Sequence, residues 1–230
     1  MAKIDHLSPS QMRSYLRCPK AYEFSYIKGI KTPPSGAMIC GTAYHDAVAY
    51  YYKSGDIAYP ADVFSDSWER QLHLHETQDE DSTVEFDTTD IDWNDEKPGD
   101  VKDAGIALTQ LYCRDIAPRY NPVTVETWKE VYIKGIKLVT ITDLVTENVI
   151  ADHKVSKRRF SDADKANDIQ VTAYTYIERK PFEFHMALRQ KINAVEIVND
   201  TTLTRQVADF RFFENLVVDI TNAAERNYDS

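Results

Sequence analysis

The chain has 230 residues, 43% hydrophobic and 28% charged, with a formal net charge of -10. Those fractions lie near globular averages and exclude disorder throughout, and the length suits one well-cored domain spanning 1–230. The negative charge excludes a generally basic, nucleic-acid-coating surface, but the excess is local: Glu76 to Asp100 holds eleven acids against the single Lys97.

That acidic run, about 76–100, reads as a solvated loop inserted in the domain. Cys18, Cys40 and Cys113 are too few and too widely spaced for a disulfide framework or a zinc pattern, which points to reduced thiols. The amino terminus has no apolar signal core, and no stretch approaches the roughly 18 apolar residues that span a bilayer. A soluble, cytoplasmic protein without a membrane partner is expected.

Along the chain, Ser8-Pro9-Ser10-Gln11 carries a capping-box signature for a first helix. Pro19 ends or kinks that helix unless it opens another. Tyr15, Tyr22 and Tyr26 form an aromatic series that suits a core stripe or base stacking. Thr32 to Gly36 is a loop by its Pro and Gly content, and helices are expected from about Ala37 to Tyr52, Pro60 to His75 and Val101 to Ile116. Gly41 is expected to allow close helix packing.

From Val123 the pattern turns β-branched and partly alternating. Three strands, ending near Ile133, Val145 and Val155 and separated by Lys134-Gly135 and Thr146-Glu147-Asn148, predict an antiparallel meander. A helix over Asp162 to Arg179, a strand FEFHMALR and a last helix over about Thr204 to Arg226 complete the order. This succession indicates an α/β fold with helices covering a mixed central sheet.

Chemistry concentrates in the meander. Asp152 and Lys154 are two residues apart on the third strand, so the pleat sends both to one face and His153 to the other. Asp143 lies near the end of the preceding strand, so two carboxylates and a lysine can converge. Such a pair can hold Mg2+ or Mn2+ against a phosphate, with the lysine orienting water or stabilising negative charge. Taken alone, Asp152 and Lys154 equally fit a surface ion pair on an edge strand.

Gly41-Thr42-Ala43-Tyr44-His45 stands upstream of this triplet and Gln170-Val171-Thr172-Ala173-Tyr174 downstream. The ordered set, with the opening LSPSQMRSYLRCPKAYEFSYIKGI, resembles the RecB-like branch of the PD-(D/E)XK nucleases, which includes the CRISPR-associated exonucleases. The resemblance covers about Leu7 to Tyr174. It implies a restriction-endonuclease-like core and a metal-dependent DNA nuclease, an exonuclease on single strands or duplex ends, working in recombination, repair or phage DNA processing with recombination or replication partners. It further implies that His45, Asp143, Asp152 and the backbone carbonyl of His153 hold the metal, that Lys154 is the catalytic lysine, and that Gln170 and Tyr174 touch Lys154 or the DNA backbone. Without the set, His45 reads as a packed histidine and Gln170 with Tyr174 as a helix-face pair.

Lys157, Arg158 and Arg159 follow the third strand and suit DNA phosphates; Lys165 fits a solvated loop as well as DNA. Asp46 reads as a solvated neighbour of His45. The iron-sulfur cluster of many members of this branch is not expected, because no cysteine follows Cys113, and Cys18 is then expected to be a packed thiol. The departures at His153 and Val155 do not exclude activity. A structure-specific endonuclease and a non-catalytic DNA-binding module on the same fold are the rival readings.

Overall fold

The computed structural model describes residues 4–76, 91–199 and 205–227. It opens with α1 (Pro9–Arg17), α2 (Pro19–Tyr22) and a π-helical turn (Glu23–Ile27). The capping box forms: the Gln11 amide donates to Ser8 Oγ and the Ser8 amide to Gln11 Oε1. Pro19 both stops α1 and starts α2, since its ring removes the amide that an unbroken helix would use.

Helices α3 (Gly36–Ser54), α4 (Pro60–Glu76) and α5 (Pro98–Asp115) pack together as one layer. α5 starts three residues before the expected Val101, because Pro98 suits a first helical turn. Most of the acidic loop expected over 76–100 falls in 77–90, outside the described residues. Two glycines of this layer leave no room for a side chain: a Cβ on Gly105 would run into the Phe64 ring and Cys40, and one on Gly36 into the Trp93 ring. Gly41 is different: a Cβ there meets nothing within 4 Å, so it serves no helix contact.

The five-stranded sheet runs β1 (Thr124–Ile133), β2 (Ile136–Val145), β3 (Ile150–Ser156), β4 (Phe182–Leu188), β5 (Ala194–Asn199), in that spatial order. The first three form the expected antiparallel meander, with Lys134 and Gly135 both at positive φ, as a two-residue hairpin turn requires. β4 lies parallel to β3, which it can reach only through a crossover, supplied by α6 (Asp162–Ala166) and α7 (Ile169–Glu178). The single helix expected over 162–179 is thus two, broken at Asn167 where Asp168 caps α7. β5 pairs antiparallel with β4 and was not expected.

Side-chain alternation makes the sheet a filling between two helical layers. Phe182, Phe184, Met186 and Leu188 of β4 join a cluster with α1, α7 and α8 (Val207–Asn227), where Phe213, Val217 and Ile220 recur at helical spacing. Ala187, Val195 and Ile197 join the opposite cluster, with α3, α4 and α5. Each fully buried large apolar side chain contributes about 1.5–3 kcal/mol. Among the described residues no helix is long and apolar enough to cross a membrane.

Candidate active site

β2 and β3 share only two ladder pairs, Leu144 with Ala151 and Val145 with Ile150. One rung further the register would set Asp143 opposite Asp152, and there the ladder stops. Like charges facing each other across a sheet are unfavourable. Asp143 Oδ2 instead accepts a hydrogen bond from the His153 amide at 2.7 Å.

Both helical layers reach this rung. From α3, His45 brings Nε2 to 2.9 Å from the carbonyl oxygen of His153, while its Nδ1 lies 3.6 Å from Asp143 Oδ2 and 3.6 Å from Glu126 Oε1. From the other layer, α7 presents Gln170 and Tyr174 one turn apart. Lys154 Nζ lies 2.6 Å from Asp152 Oδ2 and donates to Gln170 Oε1 at 3.0 Å. Gln170 Nε2 donates to the Tyr174 hydroxyl, which donates to the Ile141 carbonyl. Arg13 of α1 ties the string to the surface, donating to Asp168 and Gln170.

The electrostatics follow from burial. Asp152 is fully buried; burial pushes its carboxyl up to about 6 despite Lys154, and Asp143 adds to the rise. Asp143 is raised by burial as well, against the pull of His45 and Lys154. Burial works against the charged ring of His45, yet Asp143, Glu126 and Asp152 together outweigh it and lift that pKa to about 9. Lys154 likewise stays charged, because Asp152 and Asp143 more than offset its burial.

Two observations test whether a divalent cation fits. Both carboxylate oxygens of Asp152 are buried; Oδ2 is held by the Lys154 ammonium at 2.6 Å, whereas Oδ1 has no hydrogen-bond partner. Buried acceptors without partners are rare in proteins and call for an explanation such as an ion. A ring nitrogen of His45, a carboxylate oxygen of Asp143 and a ring nitrogen of His153 lie within 4.8 Å of one another, a set that could hold an ion. Carboxylate and carbonyl ligands suit Mg2+ or Mn2+, while an imidazole ligand is more usual on transition metals.

The His153 ring lies on the opposite face of β3 from Lys154, as the pleat requires, with Nδ1 3.8 Å from Asp143 Oδ2 and the ring edge-on to His45. Its Nε2 hydrogen-bonds the Tyr112 hydroxyl at 2.9 Å, and that hydroxyl also meets His185 Nδ1 and the Tyr52 hydroxyl. Burial, then His185 and His45, hold the His153 pKa well below the usual imidazole range, so the ring is neutral.

Other expected residues lie outside this cluster. Lys157 pairs with Glu96, Arg158 with Asp164 and Arg159 with Glu196, all on the surface. Lys165 is buried and pairs with Asp162, against the solvated-loop reading. Cys18 is exposed rather than packed, because the break at Pro19 leaves it between two helices; the buried thiols are Cys40 and Cys113. Asp46 is held by Ser67 and Arg70. Tyr22 is core and Tyr26 is exposed.

Glu126 and Arg13 escaped sequence reasoning. For Glu126 a signal existed: counting outward from the Lys134-Gly135 turn puts it opposite Asp143. An open cleft of about 770 Å³ lies over His45, walled by α3, α4 and Glu126, and Gly41 lines it.

A family model described as the PD-(D/E)XK nuclease superfamily matches residues 6–222. A search of curated proteins found no match. Among solved structures, a crystal structure from Eubacterium rectale described as a "Putative exonuclease" superimposes with a TM-score of 0.61 at 13% identity, covering 96% of this chain and 82% of that one. At that identity the likeness speaks for the fold, a mixed sheet between helices.

Proposed function

Since the chain belongs to the PD-(D/E)XK nuclease superfamily, we propose that it is a Mg2+- or Mn2+-dependent deoxyribonuclease, an exonuclease on single strands or duplex ends. The observation that carries this reading is the meeting of His45, Asp143, Asp152 and Lys154 at the rung where β2 and β3 part. In this reading His45, Asp143, Asp152 and the His153 carbonyl hold the cation. When bound, the cation polarises a phosphoryl oxygen and acidifies water.

The remaining chemistry belongs to the chain. Lys154, steered by Gln170 and Asp152, places its ammonium where charge grows on the phosphate. Tyr174 anchors Gln170 to β2. Water forms a new bond to phosphorus, the bond to the 3′ oxygen breaks, and that oxygen takes up a proton, leaving a 5′-phosphate. Lys157, Arg158 and Arg159 exchange surface carboxylates for DNA phosphates, a small loss because exposed ion pairs are worth only about 0–1 kcal/mol.

End preference rests on the RecB-like resemblance, as do a role in recombination, repair or phage DNA processing and partners from the recombination or replication machinery. A cytoplasmic, single-domain enzyme without an iron-sulfur cluster completes the reading. The test is incubation of the protein with linear and closed circular DNA, single- and double-stranded, in Mg2+, Mn2+ or chelator. Metal-dependent loss of linear DNA, absent in D152A and K154A, is the expected result. Cutting of closed circles would make it an endonuclease, and binding without cleavage in any metal would leave a DNA-binding module.

A further inference from the structure

The geometry points to Glu126 as the positioning residue for His45: its carboxylate accepts the Nδ1 proton and so turns the Nε2 lone pair toward the cation. This inference rests on the reading that His45 holds a divalent cation.

The first support is backbone conformation. Glu126 has φ +49, yet it sits inside β1 with the register to β2 intact on both sides, Val125 opposite Leu144 and Thr127 opposite Thr142. No turn needs this left-handed residue, and a side chain beyond Cβ makes it unfavourable. In extended form Glu126 would face Asp143, with Cβ atoms about 5 Å apart and like charges side by side. The left-handed twist removes the pair from the ladder, and the carboxylate meets His45 instead.

The second support is the accounting of His45 partners. A neutral imidazole has one N–H and one lone pair, and the partner of one nitrogen decides the role of the other. Without a cation Nε2–H donates to the His153 carbonyl at 2.9 Å; a cation bound beside that carbonyl would take the place of this proton and leave the N–H on Nδ1. Nδ1 has two carboxylates at 3.6 Å, Asp143 and Glu126. Asp143 already accepts the His153 amide and is itself a cation ligand in this reading. Glu126 is therefore the acceptor left for the Nδ1 proton once the cation is in place. Its Oε1 is beyond hydrogen-bond length now and has only to close by about half an ångström. A metal-bound histidine that donates its second N–H to a carboxylate is a common arrangement, and losing that partner costs about 10–100-fold in metal affinity.

The test is Mn2+ binding by calorimetry to the full chain carrying E126A, E126G, E126Q or H45A, with the His45 ring nitrogens followed by 15N NMR in Mg2+. E126G keeps the left-handed backbone at no steric cost, which separates loss of the carboxylate from misfolding. Expected are a loss of affinity of about 10–100-fold in E126A and E126G, recovery to within about threefold in E126Q, whose amide oxygen still accepts, and Nδ1-protonated His45 in the wild type. Wild-type affinity in both E126A and E126G would overturn the inference. An E126Q loss as large as that of E126A would overturn it too, marking Glu126 as a ligand or a needed charge. Unchanged affinity in H45A would instead bring down the reading of the cation site itself.

Discussion

The two faces of β3 treat polar groups in opposite ways. On one face Asp152 buries its whole carboxylate, with Oδ2 paired to Lys154 and Oδ1 without a hydrogen-bond partner. On the other, one residue away, the His153 ring is bonded by Tyr112, which also serves His185 and Tyr52. The second face is finished around Tyr112, whose hydroxyl joins His153, His185 and Tyr52, while the Tyr44 hydroxyl beside it is buried without a hydrogen-bond partner. The first carries charges whose stabilisation is incomplete in the protein alone, as expected where a ligand supplies what is missing.

This contrast can be broken by substitution on either face. The largest effect belongs to the open face: K154A is expected to slow hydrolysis of linear DNA by at least about 10²–10³-fold, the scale of losing one charge-stabilising group, while its circular dichroism stays native. Next comes Y112F on the finished face. It leaves His153 and His185 without a hydroxyl partner and is expected to destabilise the fold by about 1–3 kcal/mol in urea denaturation, with cleavage retained below the transition. Equal losses of stability from both substitutions would erase the distinction between the faces.

A smaller effect of opposite sign sharpens it. In chelator at pH 7, D152N is expected to stabilise the protein by about 1–2 kcal/mol, because it removes a buried charge. Asp152 titrates at about 6 when folded and about 3.9 when unfolded, so the folded state binds the proton more tightly. Its contribution to stability is fully present below about pH 3.9 and is lost as pH rises through about 6; D152N should lack that dependence in pH-resolved melting. The smallest effect lies away from the site. Burial pushes Cys40 up to about 11 and Cys113 up to about 12, so at pH 8 a thiol reagent should label exposed Cys18 quickly and the other two only after unfolding.

The sequence made the meander legible because its strands alternate and its turns carry Lys134-Gly135 and Thr146-Glu147-Asn148. The same pleat argument correctly set Asp152 and Lys154 on one face and His153 on the other. β5 stayed hidden because Ala194 to Asn199 is short and no glycine or proline brackets it. The break between α6 and α7 was legible in Asn167-Asp168, a stop followed by a cap, but the apolar spacing around it suggested continuity. Within the site, His45 emerged only from the ordered set of motifs, since one histidine on an alanine- and tyrosine-rich helix says little by itself. Arg13 needed the tertiary approach of α1 to α7, which no local pattern encodes. The left-handed backbone of Glu126 is likewise invisible to strand patterning.

If the buried carboxylates of Asp143 and Asp152 are kept for a divalent cation, adding that cation must stabilise the folded protein. Adding Mn2+ to a concentration of about 100 times its dissociation constant should stabilise the wild type by about 2.7 kcal/mol, seen as a rise of several degrees in melting temperature. D152N, already more stable without metal, should gain little from the same Mn2+. Equal Mn2+-induced rises in the two proteins, or no rise in the wild type, would rule out a cation held by Asp152.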